Sequence, residues 1–211
     1  MRPDHFSLYA LQIESGTELA RRVKYGELLA PDDDLAADMY DLACDLLADY
    51  EHYEISTWGH QRSVHNLQYW RNWPYLGLGA GAHGCADGLR TVNTMRPNKY
   101  IQRLENSNEK LPFPRTAATQ SYEVVSPQQE RFETIMLGLR QLQDGLSYSD
   151  YQNRYGEHLR DQYSAVIDKL TAQGLVYEEN DRLLLKRRAW LIANRVLVEF
   201  LPDSESESEL V

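Results

Sequence analysis

The chain has 211 residues, 42% hydrophobic and 26% charged, enough apolar material for one large folded unit or two small ones. Its formal net charge of -10 argues against general binding to nucleic acid or to anionic membranes, because both surfaces repel it. Two cysteines, Cys44 and Cys85, suit a reducing, cytoplasmic setting with free thiols, and two cannot by themselves hold an iron–sulfur cluster.

No apolar run approaches the ~18 residues that cross a membrane. The start, MRPDHFSLYALQIE, has no secretory signal pattern and enters a strand almost at once, as a piece of a larger protein would. His5 to Glu14 reads as that strand, with Phe6, Leu8 and Ala10 alternating with Ser7 and Tyr9. Thr17 to Val23 is a short helix after a possible cap at Ser15 to Thr17, closed by Gly26. The acidic run Pro31 to Asp34 opens a longer helix, with Leu35, Met39, Leu42, Leu46 and Leu47 at helical spacing. Tyr53 to Ser56 is a second strand. Strand, helix and strand predict a βαβ-like unit and a parallel sheet, most of whose strands lie outside this chain.

Next comes HNLQYWRNWPYLGLGAGAHG, from His65 to Gly84. Its first part is aromatic and polar. Its second part, from Gly77, has little side-chain bulk and lets backbone approach a ligand or another strand closely. Asn98 to Leu104 is a short helix, and Glu105 to Thr119 a polar excursion with Pro112 and Pro114. Ser126-Pro127 opens a new helix whose apolar face is Phe132, Ile135, Met136, Leu139 and Leu142. Gly145 to Ser147 is a turn, Tyr148 to Tyr155 a second helix and His158 to Gln173 a third. Leu175 to Tyr177 and Leu183 to Leu185 form a hairpin, and Trp190 to Leu201 a last helix. That order matches a winged-helix module, but the third helix and its lead-in carry Glu157, Asp161 and Asp168 beside Arg160 and Lys169, so DNA is a poor partner. Residues 203–211 are an acidic Ser/Glu tail, expected to be disordered.

Several residues invite chemistry, and each has a plainer reading. His65, with Tyr69 and Trp70, fits an axial ligand to haem iron flanked by stacking rings; on composition alone, a hydrogen-bonded core histidine is the better reading. Gly77 to Gly84 fits a small-molecule loop and tight strand packing equally well. Glu14 and Glu54 end the two strands, where solvent exposure is the plainer reading. Cys85 reads as a small buried hydrophobe, and Lys186-Arg187-Arg188 as a solvated turn.

Five blocks in order carry a resemblance: His5 to Glu14 with Gly16-Thr17; Tyr53 to Ser56; His65-Asn66-x-x-Tyr69-Trp70; Tyr75 to Gly84; and Asn194 to Leu201. Together they resemble the C-terminal part of the oxygen-independent coproporphyrinogen III oxidase-like radical SAM family, and within it the haem-chaperone branch. The resemblance implies an α/β fold: a partial (β/α) barrel over residues 1–116, a linker over 117–126, and a helical, winged-helix-like domain over 127–202. It implies haem as ligand at His65, Asn66, Tyr69 and Trp70, with His65 toward the haem iron, and haem transfer to an acceptor protein. It implies that Ala10, Gly77, Gly79, Gly81, Ala82 and His83 lie on the S-adenosylmethionine side. The family's three-cysteine motif for a 4Fe-4S cluster is absent here, so the chain alone is expected to do no radical chemistry. The alternatives are a fragment of a true coproporphyrinogen III oxidase of porphyrin biosynthesis, against which the H-N-x-x-Y-W motif argues, and a non-catalytic interaction module.

Overall fold

A computed structural model describes residues 3–107 and 109–201; the expected acidic tail lies outside the described residues. The N-terminal part begins with β1 (His5–Ser7), shorter than the expected ten-residue strand. Residues 8–14 form no regular element, and the expected strand end Glu14 is exposed in that segment. Helix α1 (Glu18–Lys24) starts at Thr17, whose hydroxyl accepts from the Ala20 amide. Helix α2 (Asp33–Leu46) starts at Asp32, whose carboxylate accepts from the Leu35 amide at 2.7 Å. Side-chain oxygens at both caps occupy backbone donors that a helix start leaves unpaired.

Strands β2 (Glu51–Glu54) and β3 (Thr57–Gly59) make a hairpin, and the sheet order is β1-β3-β2. This corrects the expected parallel pairing. Both outer strands run antiparallel to β3, so β1 and β2 share a direction without touching. The chain reverses at Ile55-Ser56, inside the stretch read as a strand. The Glu54 carboxylate closes that reversal by accepting from the Ser56 amide at 3.1 Å and the Thr57 hydroxyl at 2.8 Å. Among the described residues every strand pair is antiparallel, and no (β/α) barrel closes.

Helix α2 turns Tyr40 toward this sheet, its hydroxyl donating to the Ile55 carbonyl at 2.8 Å. Its predicted apolar stripe points elsewhere: Leu35, Met39, Leu42 and Leu46 are 57% to 73% exposed. The helical spacing is right, and burial of that stripe by the described residues is not.

His52 stacks on buried Trp58, ring centroids 3.9 Å apart, meets the Trp190 edge, and contacts the Ile55 carbonyl at 3.0 Å. Burial pushes its imidazole pKa down from 6.5. The folded chain therefore resists protonation more than the unfolded chain does. This contribution to stability is complete above pH 6.5 and is lost as pH falls through the lower folded value. Denaturation midpoints are expected to drop below pH 6.5, and to drop less in His52→Gln; equal slopes for both proteins would reject the assignment.

The second sheet is a meander of β4 (His83–Ala86), β5 (Leu89–Asn93) and β6 (Thr119–Val124), in the order β4-β5-β6. Asp87 and Gly88, with φ of 51° and 69°, form a two-residue turn between β4 and β5. Residues 119–124 were expected in a linker; instead they pair with β5 from Leu89 opposite Val124 to Asn93 opposite Thr119. Between β5 and β6 the chain makes the helix Pro97–Glu105, close to its expected bounds.

The last part runs helix Pro127–Leu139, β7 (Leu146–Ser147), helices Tyr148–Tyr155 and Leu159–Ala172, then β8 (Val176–Glu179) and β9 (Arg182–Leu185). With α3 (Val64–Trp70) counted, the helices above are α4 (Pro97–Glu105), α5 (Pro127–Leu139), α6 (Tyr148–Tyr155) and α7 (Leu159–Ala172). The expected turn at residues 145–147 contributes β7, which pairs with β9. The expected final helix is shorter: a 3-10 turn at Arg187–Ala189 precedes α8 (Ala193–Val198). Ile135, Leu139, Leu159, Ile167, Leu170, Val176, Leu183 and Phe200 are at most 1% exposed and form the main core. Burial on that scale is the main stabilising term in such a unit.

Candidate functional site

The H-N-x-x-Y-W stretch is α3, with the Ser63 hydroxyl capping it through the Asn66 amide at 3.2 Å. Helical geometry divides the motif. His65 and Tyr69 are four residues apart and share a face, as do Asn66 and Trp70; the second face is about 100° around the axis from the first.

His65 is exposed, and its imidazole makes no hydrogen bond among the described residues. Its ring meets Tyr69 edge-on at 5.0 Å, and Tyr69 meets Tyr75 edge-on at 4.7 Å. This corrects the plainer reading of a hydrogen-bonded core histidine. The outer face is an open row of three rings that ends in an imidazole.

The other face anchors the helix. The Tyr53 hydroxyl, 2.8 Å from His5 Nε2, accepts from the Ser63 amide at 3.3 Å and so holds the start of the helix. Burial raises the Tyr53 phenol pKa. The Trp70 ring lies 5.3 Å from the Arg140 guanidinium, and the Gln141 side chain donates to the Trp70 carbonyl at 3.2 Å.

Behind Trp70 lies the residue most misjudged from the sequence. Glu54 is wholly buried, against the expectation of an exposed strand end. Arg140, at the end of α5, donates to it through both Nε and a terminal nitrogen, at 3.2 and 3.0 Å. Backbone bonds run alongside, from Ile55 N to Arg140 O and from Leu142 N to Tyr53 O. Arg140 and Gln141 went unnoticed because they finish an ordinary amphipathic helix. The one signal was a charged residue directly following Leu139 on that helix, and its partner is 86 positions away.

The Gly-rich loop is largely a packing device at its ends. Tyr75 and Cys85 exchange both backbone bonds, at 2.8 and 2.9 Å, which brings Gly77 against His83 and Gly84 against Gly77. Asn93 donates to the Gly77 and Gly79 carbonyls, and the Tyr100 hydroxyl accepts from the Gly79 amide. Gly79 and Gly81 have φ of 107° and 71°, with little around them. His83 is exposed on β4, Ala82 half-buried, and Ala10 exposed in the irregular segment after β1.

Cys44 and Cys85 are both free and partly buried, and burial pushes both thiols up, away from the reactive thiolate. Among the described residues no three His, Cys, Asp or Glu side chains gather to hold a metal ion. The residues present therefore do not fit a 4Fe-4S cluster. Lys186, Arg187 and Arg188 are exposed at a turn, as expected, and Arg187 also pairs with Asp41 at 2.6 Å and lies over the Tyr40 and Trp190 rings. No helix of the described residues is long and apolar enough to cross a membrane.

Comparison with known proteins bears on this geometry. Residues 125–192 match the HemN C-terminal domain. The chain is 32% identical over 203 residues to a heme chaperone HemW of Lactococcus lactis, covering 94% of this chain and 51% of that protein. It is 37% identical over 200 residues to a heme chaperone HemW of Mycobacterium tuberculosis, covering 92% and 46%. The chain thus spans about half the length of these curated relatives. A solved structure of coproporphyrinogen III oxidase (HemN) from Escherichia coli, described as a radical SAM enzyme, superposes with a TM-score of 0.66. That match has 14% identity over 94% of this chain and 48% of the other, so it speaks for the fold alone. On these relationships residues 125–192 belong to the HemN C-terminal domain family, and nearly the whole chain is similar in sequence to proteins named heme chaperone HemW.

Proposed function

We propose that this chain supplies the haem-contacting helix of a protein that binds haem and passes it to an acceptor protein. The observation that carries this reading is the outer face of α3, where an imidazole without a hydrogen-bond partner adjoins the Tyr69 and Tyr75 rings. A neutral imidazole nitrogen is a good ligand for iron. The edge-on Tyr69 ring restrains the His65 side chain, and Tyr75 extends an apolar flank for a flat macrocycle. The exposure of this face suits a cargo that has to leave again, because a buried ligand needs the protein to open before release. Names given to the relatives, heme chaperones, agree with this reading.

On the same reading, residues 1–116 belong to the barrel half of a larger radical SAM protein while their own sheets are antiparallel, and the domain from residue 127 is a winged-helix-like platform that steadies α3. Ala10, Gly77, Gly79, Gly81, Ala82 and His83 then belong to the S-adenosylmethionine side. S-adenosylmethionine with a reduced 4Fe-4S cluster supplies radical chemistry when bound, and the proposed haem transfer has no step through either. His65→Ala is expected to weaken haem binding on the order of tenfold and to shift the haem absorption band. An unchanged titration and spectrum would remove His65 from the site.

A further inference from the structure

We propose that β6 is a docking edge: it takes an extended segment of a partner protein as a fourth strand of the β4-β5-β6 sheet, and Arg115 receives a carboxylate of that segment. β6 is the outer strand of its sheet, and five of its six residues are exposed. The bond from Val125 N to Gly88 O fixes which way its backbone points. Hydrogen-bonded pairs alternate along an antiparallel ladder, so Ser121 and Glu123 turn their amides and carbonyls to β5. Tyr122 and Val124 turn theirs outward, where they meet no backbone partner among the described residues.

The other sheet edges are closed or too short to extend. β4 is closed by Tyr75, which exchanges both backbone bonds with Cys85. β2 is closed by the bonds from Ile55 N to Arg140 O and from Leu142 N to Tyr53 O. β8 carries Glu178 and Glu179, and charge on an edge discourages pairing. β1 and β7 have three and two residues. β6 has none of these protections. It contains no proline or lysine, and its single charge, Glu123, is held by Arg90 at 3.0 Å. An open row of amides and carbonyls is a template for another strand.

The side chains give the partner its chemistry. Tyr122 and Val124 are 52% and 73% exposed and stand on one side of the strand. An added strand with β-branched or aromatic residues opposite them gains cross-strand contact. The Arg115 guanidinium lies 4.4 Å from the Tyr122 ring centre and makes no ion pair among the described residues. A carboxylate on the added strand supplies that partner. A second copy of β6 does not, because its one carboxylate is already held by Arg90. The edge belongs to the sheet and not to α3, so the proposal is independent of the haem reading.

The test uses the full chain and short blocked peptides of alternating Thr and Val. One carries a central Glu, one a Lys in its place, and one is the Glu peptide with its interior amides N-methylated. The Glu peptide is expected to bind saturably, and the N-methylated one more than about tenfold more weakly. The Lys peptide should bind about three- to tenfold more weakly than the Glu peptide, although a net charge of -10 by itself favours Lys. Arg115→Gln should remove that preference. Val124→Pro should abolish binding and leave the melting temperature near that of the unsubstituted chain, because the N–H it removes faces away from β5.

Equal binding of the N-methylated peptide, unchanged binding by Val124→Pro, or no saturable binding of the Glu peptide overturns the proposal. Equal binding of the Glu and Lys peptides overturns the part given to Arg115. If the chain alone sediments as a dimer and Val124→Pro returns it to a monomer, a second copy occupies the edge and the partner segment falls. Should Val124→Pro fail to fold, the N-methylated peptide on the unsubstituted chain still decides.

Discussion

Arg140→Met is expected to destabilise the chain by about 3 kcal/mol, because it leaves a buried carboxylate without its counter-charge. The Glu54 side chain is 1% exposed and Arg140 23% exposed, so water cannot simply replace the lost guanidinium around Glu54. Two donors remain, the Ser56 amide and the Thr57 hydroxyl, and they hold the carboxylate only from the hairpin side. The bonds from Ile55 N to Arg140 O and from Leu142 N to Tyr53 O use backbone and survive the change. The loss is therefore electrostatic rather than a general detachment of α5. Glu54→Gln removes the charge instead and keeps an acceptor for Thr57, so it should cost about 1 kcal/mol. The double variant should be more stable than Arg140→Met alone, since no unpaired charge is left buried. Urea denaturation of the three variants measures this. An Arg140→Met chain as stable as the unsubstituted one would mean that the hairpin donors alone satisfy Glu54. The consequence reaches the site, because Arg140 also covers the Trp70 ring and its neighbour Gln141 holds the Trp70 carbonyl.

What the sequence made legible follows from how local each feature is. Helix starts at Thr17, Asp32 and Ser126 could be read because a capping oxygen and the amide it accepts lie within three residues. The hairpin of β8 and β9 was readable from its apolar runs, and its turn falls at Asn180-Asp181, whose φ values of 49° and 63° suit those residue types. The first sheet was misread because its pairing depends on Glu54 closing a reversal, and a glutamate is no turn signal. Tyr53 to Ser56 looks like a strand that continues; one carboxylate bond to Ser56 makes it a corner. Residues 119–124 read as linker because Thr-Gln-Ser-Tyr-Glu-Val shows no apolar face, and five of the six are exposed on an edge strand. The apolar stripe of α2 had the right period and stands in solvent among the described residues, since period reports a face and not what covers it. At the site, the motif named the right helix but not its two sides. Only helical geometry separates the free His65 from the anchored Trp70, and only the fold brings Arg140 and Glu54 behind it.

Gly77→Ala is expected to destabilise the chain by about 3 kcal/mol, although the residue carries no side chain to lose. A Cβ there would come within 2.5 Å of both the carbonyl carbon and oxygen of His83, and within 3.0 Å of the Ala82 carbonyl carbon. All three atoms are backbone, so no rotamer change relieves the overlap; the two chain segments must separate. Separation strains the paired bonds between Tyr75 and Cys85 and the bond from Asn93 to the Gly77 carbonyl. Gly84→Ala meets the Gly77 amide at 2.8 Å and should behave alike. Gly79→Ala is the informative control. No atom lies within 4 Å of its added Cβ, so its penalty comes only from a φ of 107°, about 1–2 kcal/mol. The comparison decides what the bare loop is for. If Gly77 and Gly84 are the sensitive positions, bareness at the ends serves strand-to-strand contact, and only the tip at Gly79 to Gly81 is left to approach a ligand. If Gly79→Ala were the most destabilised of the three in denaturant, backbone conformation and not close packing would explain the glycines.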